Sequence, residues 1–308
     1  RIMDIAALSR KMVLLFFCML VGFLAAKAKV MDQQTNKKLS SLIVNVTNPL
    51  QMLASALAGE HLLSNREVLG LTGLIAAIYA ALIALSFLVP KLLRVKDGER
   101  GMYQFMFIFA NTGFLGYPVV ESLLGEHAKF YVTLYVMFFQ LFCWSFGVSL
   151  ISGERRFRWR WSILRHPCVV AALLSFVIYL SGWQAPSIAQ QAAKYVGDMT
   201  SPSAMLIVGC SLAQMKFSAI FGRWRIYALS ALKLVLVPLA AYFVLRTFIR
   251  SELTLCALTV MLCMPVATNS TIISYQYGAD DTVASAGVFV STLVCMVTIP
   301  LMMRLLFG

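Results

Sequence analysis

The sequence contains little charge for its length. Only 13% of its 308 residues are charged, and just 13 are acidic. Its mean hydropathy of +0.81 lies well above the range of soluble domains. A soluble enzyme of this size needs a polar surface that so few charged residues cannot supply, so the composition excludes a cytosolic enzyme.

Residues that build catalytic and metal centres are also few or scattered. The three histidines, His61, His127 and His166, are far apart, and the seven cysteines contain no CxxC pair. There is no HExxH motif, no spacing that supports a Ser-His-Asp arrangement, and no adjacent acidic pair besides Asp280 and Asp281. A membrane-embedded enzyme is therefore a minor alternative, and we expect no enzymatic activity, no metal and no cofactor.

Long apolar runs dominate the chain instead. A run of about 18 or more apolar residues indicates a transmembrane helix, because every backbone polar group must be paired within the segment in lipid. We predict an all-α polytopic membrane protein with ten transmembrane helices. The first run has no small-residue cleavage site, so we interpret it as a retained helix. The predicted spans are residues 8–26, 39–57, 68–90, 102–123, 128–151, 167–183, 200–215, 227–248, 253–277 and 283–306.

Basic residues predict the orientation of these spans. The loops after odd-numbered spans hold sixteen Lys and Arg, the opposite side holds nine, and Lys233 within a span completes the 26. Short cytoplasmic loops are enriched in Lys and Arg, so both termini are predicted to face outward from the plasma (inner) membrane. The basic stretch 152–166 suits an anionic inner leaflet, and we expect no nucleic-acid partner despite the net charge of +13.

Two spans are interrupted near their midpoints by Gly, Pro and polar residues. Span 4 contains NTGFLGYP at 111–118, and span 9 contains MPVATNST at 264–271. At each interruption one half-helix exposes carbonyls and the next exposes N–H groups, which carry opposite partial charges. Paired interruptions in two halves of a chain indicate the binding site of a transporter. Two such breaks crossing would hold an anion without a charged side chain.

The predicted site residues come mainly from these interruptions. The substrate-binding set is Asn111, Thr112, Gly113, Pro118, Pro265, Thr268, Asn269 and Ser270, and the supporting or coupling set is Asn48, Gln140, Lys233 and Asp281. The alternative is that such polar groups only cap half-helices or pack between spans. Gln140 is expected to bond to another helix. Lys233 either snorkels to the inner interface or stabilises an anion, and Asp281 caps the tenth helix or takes part in ion coupling.

The spans divide into two sets of five, residues 1–151 and 167–308, joined by the linker 152–166. An odd number of spans per set inverts the second set relative to the first. Prolines recur at similar offsets: Pro49 with Pro202 at 153, Pro90 with Pro238 at 148, and Pro118 with Pro265 at 147. This pattern predicts two inverted repeats, although Asn111 and Asn269 do not align within it.

Three motifs together resemble the auxin efflux carrier family: NTGFLGYP at 111–118, LKLVLVP at 232–238 and MPVATNSTIISY at 264–275. The resemblance covers nearly the whole chain in span number, order and motif position. It implies that broken spans 4 and 9 cross, with the substrate anion bound beside the crossing. It also implies a scaffold of spans 1, 2, 6 and 7, a transport domain of spans 3–5 and 8–10, and a homodimer formed through the scaffold. The family includes bacterial permeases for malate and similar anions, and the short linker argues against a plant hormone as substrate.

The leading hypothesis is a secondary active transporter for small organic anions such as carboxylates. It would use elevator-type alternating access, in which the crossover helices move against the scaffold. The alternative is a sodium-coupled organic-anion symporter of the bile-acid type, with oxygens near Thr112, Thr268 and Ser270 as sodium ligands. Coupling to H+ or to Na+ stays open, and a passive channel is a further alternative.

Overall fold

The computed structural model describes residues 5–57, 63–153, 164–214, 222–277 and 281–308. Helices make up 86% of these residues, and these ranges contain no strand. The all-α class is therefore confirmed. The helices, numbered in chain order, are α1 Ile5–Lys27, α2 33–57, α3 Asn65–Ser86, α4 Val89–Leu92, α5 Arg100–Ile108, α6 112–124, α7 129–152, α8 Pro167–Ser181, α9 Ser187–Gly197, α10 Thr200–Gln214, α11 Trp224–Phe248, α12 Glu252–Leu262, α13 Asn269–Tyr277 and α14 Asp281–Phe307.

Several helices are suited to a bilayer by length and composition. Within the described ranges, four segments are long and apolar enough to cross a membrane: Asn65–Leu92, Glu126–Ser152, Trp224–Phe248 and Thr282–Phe307. Shorter apolar helices occur at Val13–Lys27, Pro167–Ser181 and Glu252–Leu262. All seven segments lie on predicted spans, so the chain is a multi-pass membrane protein.

Three helices widen into a π turn just before a proline. The π segments Ile43–Thr47, Thr112–Gly116 and Leu232–Leu236 each end two residues before a proline, namely Pro49, Pro118 and Pro238. Proline lacks an N–H and its ring crowds the carbonyl four residues earlier, so a wider turn lets the helix continue through it. These prolines shape their helices rather than end them.

Many of the largest fully buried side chains lie on or next to the helices α3 and α5 to α7. The largest fully buried side chains include Tyr79, Tyr103, Tyr117, Tyr131, Tyr135, Phe105 and Phe109. Other helices keep large apolar side chains on the outside, such as Leu14 on α1 and Val177 on α8. In a membrane protein these outer apolar faces meet lipid, whereas the aromatic interior holds the broken helices in place.

Two helix pairs pack closely elsewhere, with α1 along α10 and α8 along α2. A Cβ atom on Gly22 would collide with the backbone of Leu206, and one on Gly209 would collide with the backbone of Met19. Small residues at such positions let two membrane helices approach until their backbones touch. Glycine at 22 and at 209 therefore sets the separation of α1 and α10.

Two ion pairs join loops that are distant in the sequence. Lys194 approaches Glu126 at 2.7 Å, which joins the loops after predicted spans 4 and 6. Arg223 Nη1 donates to Glu99 Oε1 at 2.9 Å, which joins the loops after spans 3 and 7. Loops after even spans thus meet each other, as do loops after odd spans. This is the arrangement that alternating spans require.

We predict that Gly209→Ala destabilises the protein, because the added methyl group displaces the backbone of α1. Overpacking of this kind costs about 1–3 kcal/mol. The matched control is Gly73→Ala on α3, where no atom lies within 4 Å of the added Cβ. Thermal unfolding of both purified variants in detergent checks the prediction. Equal melting temperatures of the two variants would contradict the close approach of α1 and α10.

Candidate functional site

The interruptions of predicted spans 4 and 9 meet in the structure. Residues 109–111 separate α5 from α6, and residues 263–268 separate α12 from α13. The two stretches pair through an antiparallel bridge between Ala110 and Val266. The two interruptions therefore pair with each other, and we call the place where they meet the crossing.

Two backbone hydrogen bonds hold this crossing together. The Asn111 N–H donates to the carbonyl oxygen of Pro265 at 2.7 Å, and the Ala267 N–H donates to the carbonyl oxygen of Phe109 at 3.1 Å. Each bond satisfies buried backbone groups that the interruption removed from a helix. Irregular backbone inside a membrane protein is stable only when it is satisfied in this way.

Side chains from neighbouring helices satisfy two further backbone groups at the crossing. Lys233 Nζ on α11 donates to the Phe107 carbonyl at 2.7 Å, and the Val266 N–H donates to Ser291 Oγ on α14 at 3.0 Å. Lys233 is only 3% exposed. Its ammonium lies at the carbonyl end of α5, where the helix dipole is negative. The interpretation that Lys233 snorkels to the interface is therefore wrong.

Three buried polar side-chain atoms near the crossing have no hydrogen-bond partner among the described residues: Asn111 Nδ2, Thr268 Oγ1 and Asn48 Oδ1. Asn48 belongs to α2, and its Nδ2 lies 3.6 Å from the place that a Cβ on Gly113 would occupy. Each unpaired buried polar group costs about 1–3 kcal/mol. Unpaired buried polar atoms in a native structure call for an explanation, and a polar ligand supplies one.

Two helices begin next to this group of polar atoms. Helix α6 starts two residues after bridged Ala110, and α13 starts at Asn269, three residues after bridged Val266. The Thr112 N–H donates to the Ala110 carbonyl at 2.7 Å, and the Ser270 N–H donates to the Ala267 carbonyl at 3.1 Å. The aligned peptide dipoles still give the first turn of each helix a partial positive charge. The crossing therefore combines amide and hydroxyl groups with two positive helix ends. This arrangement can bind an anion.

Other predicted site residues serve the local backbone. Ser270 Oγ donates to the Ala267 carbonyl at 2.8 Å, and Thr112 Oγ1 donates to the Ala110 carbonyl at 3.5 Å. Pro118 follows the π segment inside α6 and shapes that helix. These three residues therefore lie on the elements that form the crossing, where they stabilise the local backbone.

Two predicted supporting residues have a different outcome. Gln140 Oε1 accepts a hydrogen bond from Trp144 Nε1 at 2.9 Å, one turn along the same helix. The prediction of an interhelical bond is wrong for this oxygen, because residues at i and i+4 are neighbours on one helix face and Trp144 supplies the donor. The side chain of Asp281, like Asp280, lies outside the described residues.

An ion cluster joins the end of α6 and the start of α7 to α9. Lys129 Nζ lies 3.0 Å from Glu121, Lys194 Nζ lies 2.7 Å from Glu126, and the two lysines lie 4.0 and 3.3 Å from Asp198. The hydrogen bond to Glu126 raises the pKa of Lys194 and so favours its charged form. Because α9 packs on α2, this cluster ties the crossing helices to the α2 side of the molecule.

Sequence reasoning did not find this cluster or Gln51. Gln51 Oε1 is a further buried oxygen without a partner among the described residues. It lies three residues after Asn48, and residues three apart share a helix face, so the spacing was a usable signal. The local pairs Lys194–Asp198 at i,i+4 and Lys129–Glu126 at i,i+3 were visible in the sequence. The bond from Lys194 to Glu126, which joins them into one cluster, carried no such signal because it links separate elements.

A family model described as "Membrane transport protein" matches residues 7–157 and 156–303. The chain belongs to this family, the auxin efflux carriers. The two matches meet inside the predicted linker 152–166. This auxin efflux carrier family member is a membrane transporter and not an enzyme.

Relatives of this family member match it over most of their length. A protein named "Uncharacterized transporter" from Methanocaldococcus jannaschii is 23% identical over 298 residues, 92% of this chain and 93% of that protein. Another of that name from Methanothermobacter thermautotrophicus is 24% identical over 289 residues, with the same coverage. A protein named "Putative malonate transporter" from Rhizobium meliloti is 23% identical over 301 residues, 94% of this chain and 92% of that protein.

We predict that Lys129→Met destabilises this transporter more than Lys194→Met does. The Lys129 side chain is 7% exposed, whereas that of Lys194 is 43% exposed. Removing a buried partner leaves Glu121 without its closest cation, at a cost of about 2 kcal/mol or more, whereas an exposed pair contributes about 1 kcal/mol or less. Thermal unfolding of both variants in detergent measures the difference. A larger loss for Lys194→Met would show that the cluster is organised differently.

Proposed function

We propose that this family member is a secondary active transporter for small organic anions, carboxylates in particular, which bind at the crossing of α5–α6 with α12–α13. The observation that carries the proposal is the pair of unpartnered buried groups, Asn111 Nδ2 and Thr268 Oγ1, beside the bridged interruptions. Carboxylate oxygens accept strong hydrogen bonds from such donors and from backbone N–H groups. The relative named for malonate transport supports the same substrate class.

In this proposal the substrate-binding residues have different tasks. Asn111, Thr268 and Asn269 present side-chain donors to the carboxylate. Gly113 lets the substrate approach the first turn of α6, with Asn48 facing it from α2. Pro265, Pro118, Thr112 and Ser270 hold the two interruptions in shape through the backbone contacts described above.

A contact between repeat-related positions supports two inverted repeats of five spans, 1–151 and 167–308. Thr200 Oγ1 donates to Thr47 Oγ1 at 2.9 Å across a separation of 153 residues, the offset of the nearby prolines. Residues that a twofold axis relates can touch each other only near that axis. This contact therefore fits a pseudo-twofold axis that passes between α2 and α10.

Helix packing supports the division into scaffold and transport domain. Span 1 packs on span 7 as α1 on α10, and span 6 packs on span 2 as α8 on α2, the exchange that inverted repeats predict. We propose that α3–α7 and α11–α14 move as the transport domain, and that the Lys129 cluster opens and closes at one end during each cycle. The proposal includes ten spans, both termini facing out of the cell membrane and a homodimer formed through the scaffold.

We predict that Asn111→Ala and Asn269→Ala lower carboxylate uptake about tenfold or more without unfolding the protein. Each variant loses a donor to a charged group, and a loss of about 1.5–3 kcal/mol corresponds to about tenfold or more in affinity. The measurement is uptake of labelled malonate, malate, indole-3-acetate and other mono- and dicarboxylates into proteoliposomes, with pH, sodium and voltage gradients imposed separately.

The matched control is Asn45→Ala on the exposed side of α2, where the Asn45 amide donates to the Ser41 carbonyl of its own helix at 2.8 Å. This variant is expected to transport at the wild-type rate. Wild-type uptake by both site variants would contradict the assignment of the site. A panel in which the intact wild type moves no carboxylate would contradict the proposed substrate class.

A further inference from the structure

Lys233 places a cation at the crossing, and the proposed function does not explain why it is there. The residue lies in the π segment Leu232–Leu236 of α11 and is buried. Its Nζ donates to the Phe107 carbonyl at 2.7 Å. Because α5 ends at Ile108, the Phe107 oxygen is among the last four carbonyls of that helix, which have no intrahelical partner. The ammonium therefore occupies the negative end of a broken helix.

The surroundings of Lys233 identify its counter-charge. In the described part of the chain no Asp or Glu forms an ion pair with Lys233. A charged group inside a membrane protein needs a partner, and carbonyl groups are one such partner. The carbonyl end of α5 fills this role, because the aligned peptide dipoles give it a partial negative charge.

The other half of the chain lacks this charge at the related position. Aligning Pro90 with Pro238 at their offset of 148 places Leu85 opposite Lys233. Leu85 lies in the regular helix α3, whereas Lys233 lies in a π turn. π turns inside α-helices occur frequently at functional sites. The Lys233 cation therefore occurs in the second half of the chain only, and the symmetry of the fold does not require it.

We propose that the Lys233 ammonium is a built-in cation that takes the place of a coupling sodium ion at the carbonyl end of α5, so that anion transport does not require sodium. Oxygen ligands such as backbone carbonyls are those that hard metal cations prefer. A tethered ammonium supplies a positive charge from within the chain and donates to the same kind of oxygen. Lys233 is accordingly a positioning residue. Its ammonium holds the end of α5 at Phe107, four residues before Asn111, and places a positive charge there. This inference rests on the proposed function, which supplies the anion site, and it concerns the role of Lys233 beside that site.

The first test compares sodium chloride with choline chloride at equal ionic strength in proteoliposomes, with labelled malonate as the probe. Wild type is expected to take up malonate equally in both salts. Lys233→Met should lose about tenfold in choline and regain most of that loss in sodium, because the vacated carbonyl end accepts the ion. Lys233→Arg keeps the charge and should show no stimulation by sodium. Lys96→Met removes an exposed lysine and should behave as wild type.

The second test needs no substrate. Sodium should raise the melting temperature of purified Lys233→Met by about 3 °C relative to choline and leave the wild type unchanged. This measurement separates the two proposals, because it applies even if wild type transports no carboxylate.

A sodium requirement in wild-type uptake, or sodium stabilisation of the wild type, would overturn the inference. So would a Lys233→Met protein that sodium neither stimulates nor stabilises. If Lys233→Met cannot be purified, Lys233→Gln replaces it with the same expected responses.

Discussion

The backbone bridge between Ala110 and Val266 is the contact on which the rest of the structure depends. Lipid offers no partner for a peptide group, so a helix can break inside a membrane only where protein replaces the lost hydrogen bonds. Here each interruption supplies the partner of the other. Neither break is stable alone, and the candidate site therefore exists only when both halves of the chain have packed together.

Sequence patterns predict local features of this fold well. Hydropathy and length locate the helices because burial in lipid acts on each segment separately. The stretches 111–118 and 264–271 reveal the interruptions because Gly, Pro and Asn disfavour a regular helix. The bridge joins residues in opposite halves of the chain, and neither stretch encodes its partner. Its location follows from the family resemblance and the structure, not from local propensity.

The sequence also does not show which polar side chains are free to bind a ligand. Ser270, Thr112 and Thr268 look alike as ligands in the sequence, but the first two hydroxyls bond to their own turns. Thr268 Oγ1 has no partner among the described residues, and packing alone decides this difference. Lys233 was ambiguous because a long side chain can reach either the interface or the interior. The hydrogen bond to the Phe107 carbonyl shows that the Lys233 side chain points into the interior.

The two halves share a backbone plan but differ in charge, and this difference bears on what the crossing can carry. The positive ends of α6 and α13 and the negative ends of α5 and α12 meet there, so their dipoles largely offset one another. In the proposal above, the Lys233 ammonium neutralises one negative end and so leaves the crossing positive before any ligand binds. In the proposed carrier an incoming carboxylate then balances charge that the protein already holds. A loaded domain that is close to neutral costs less to move through a low-dielectric membrane than one with a net charge, which favours a site with its own cation.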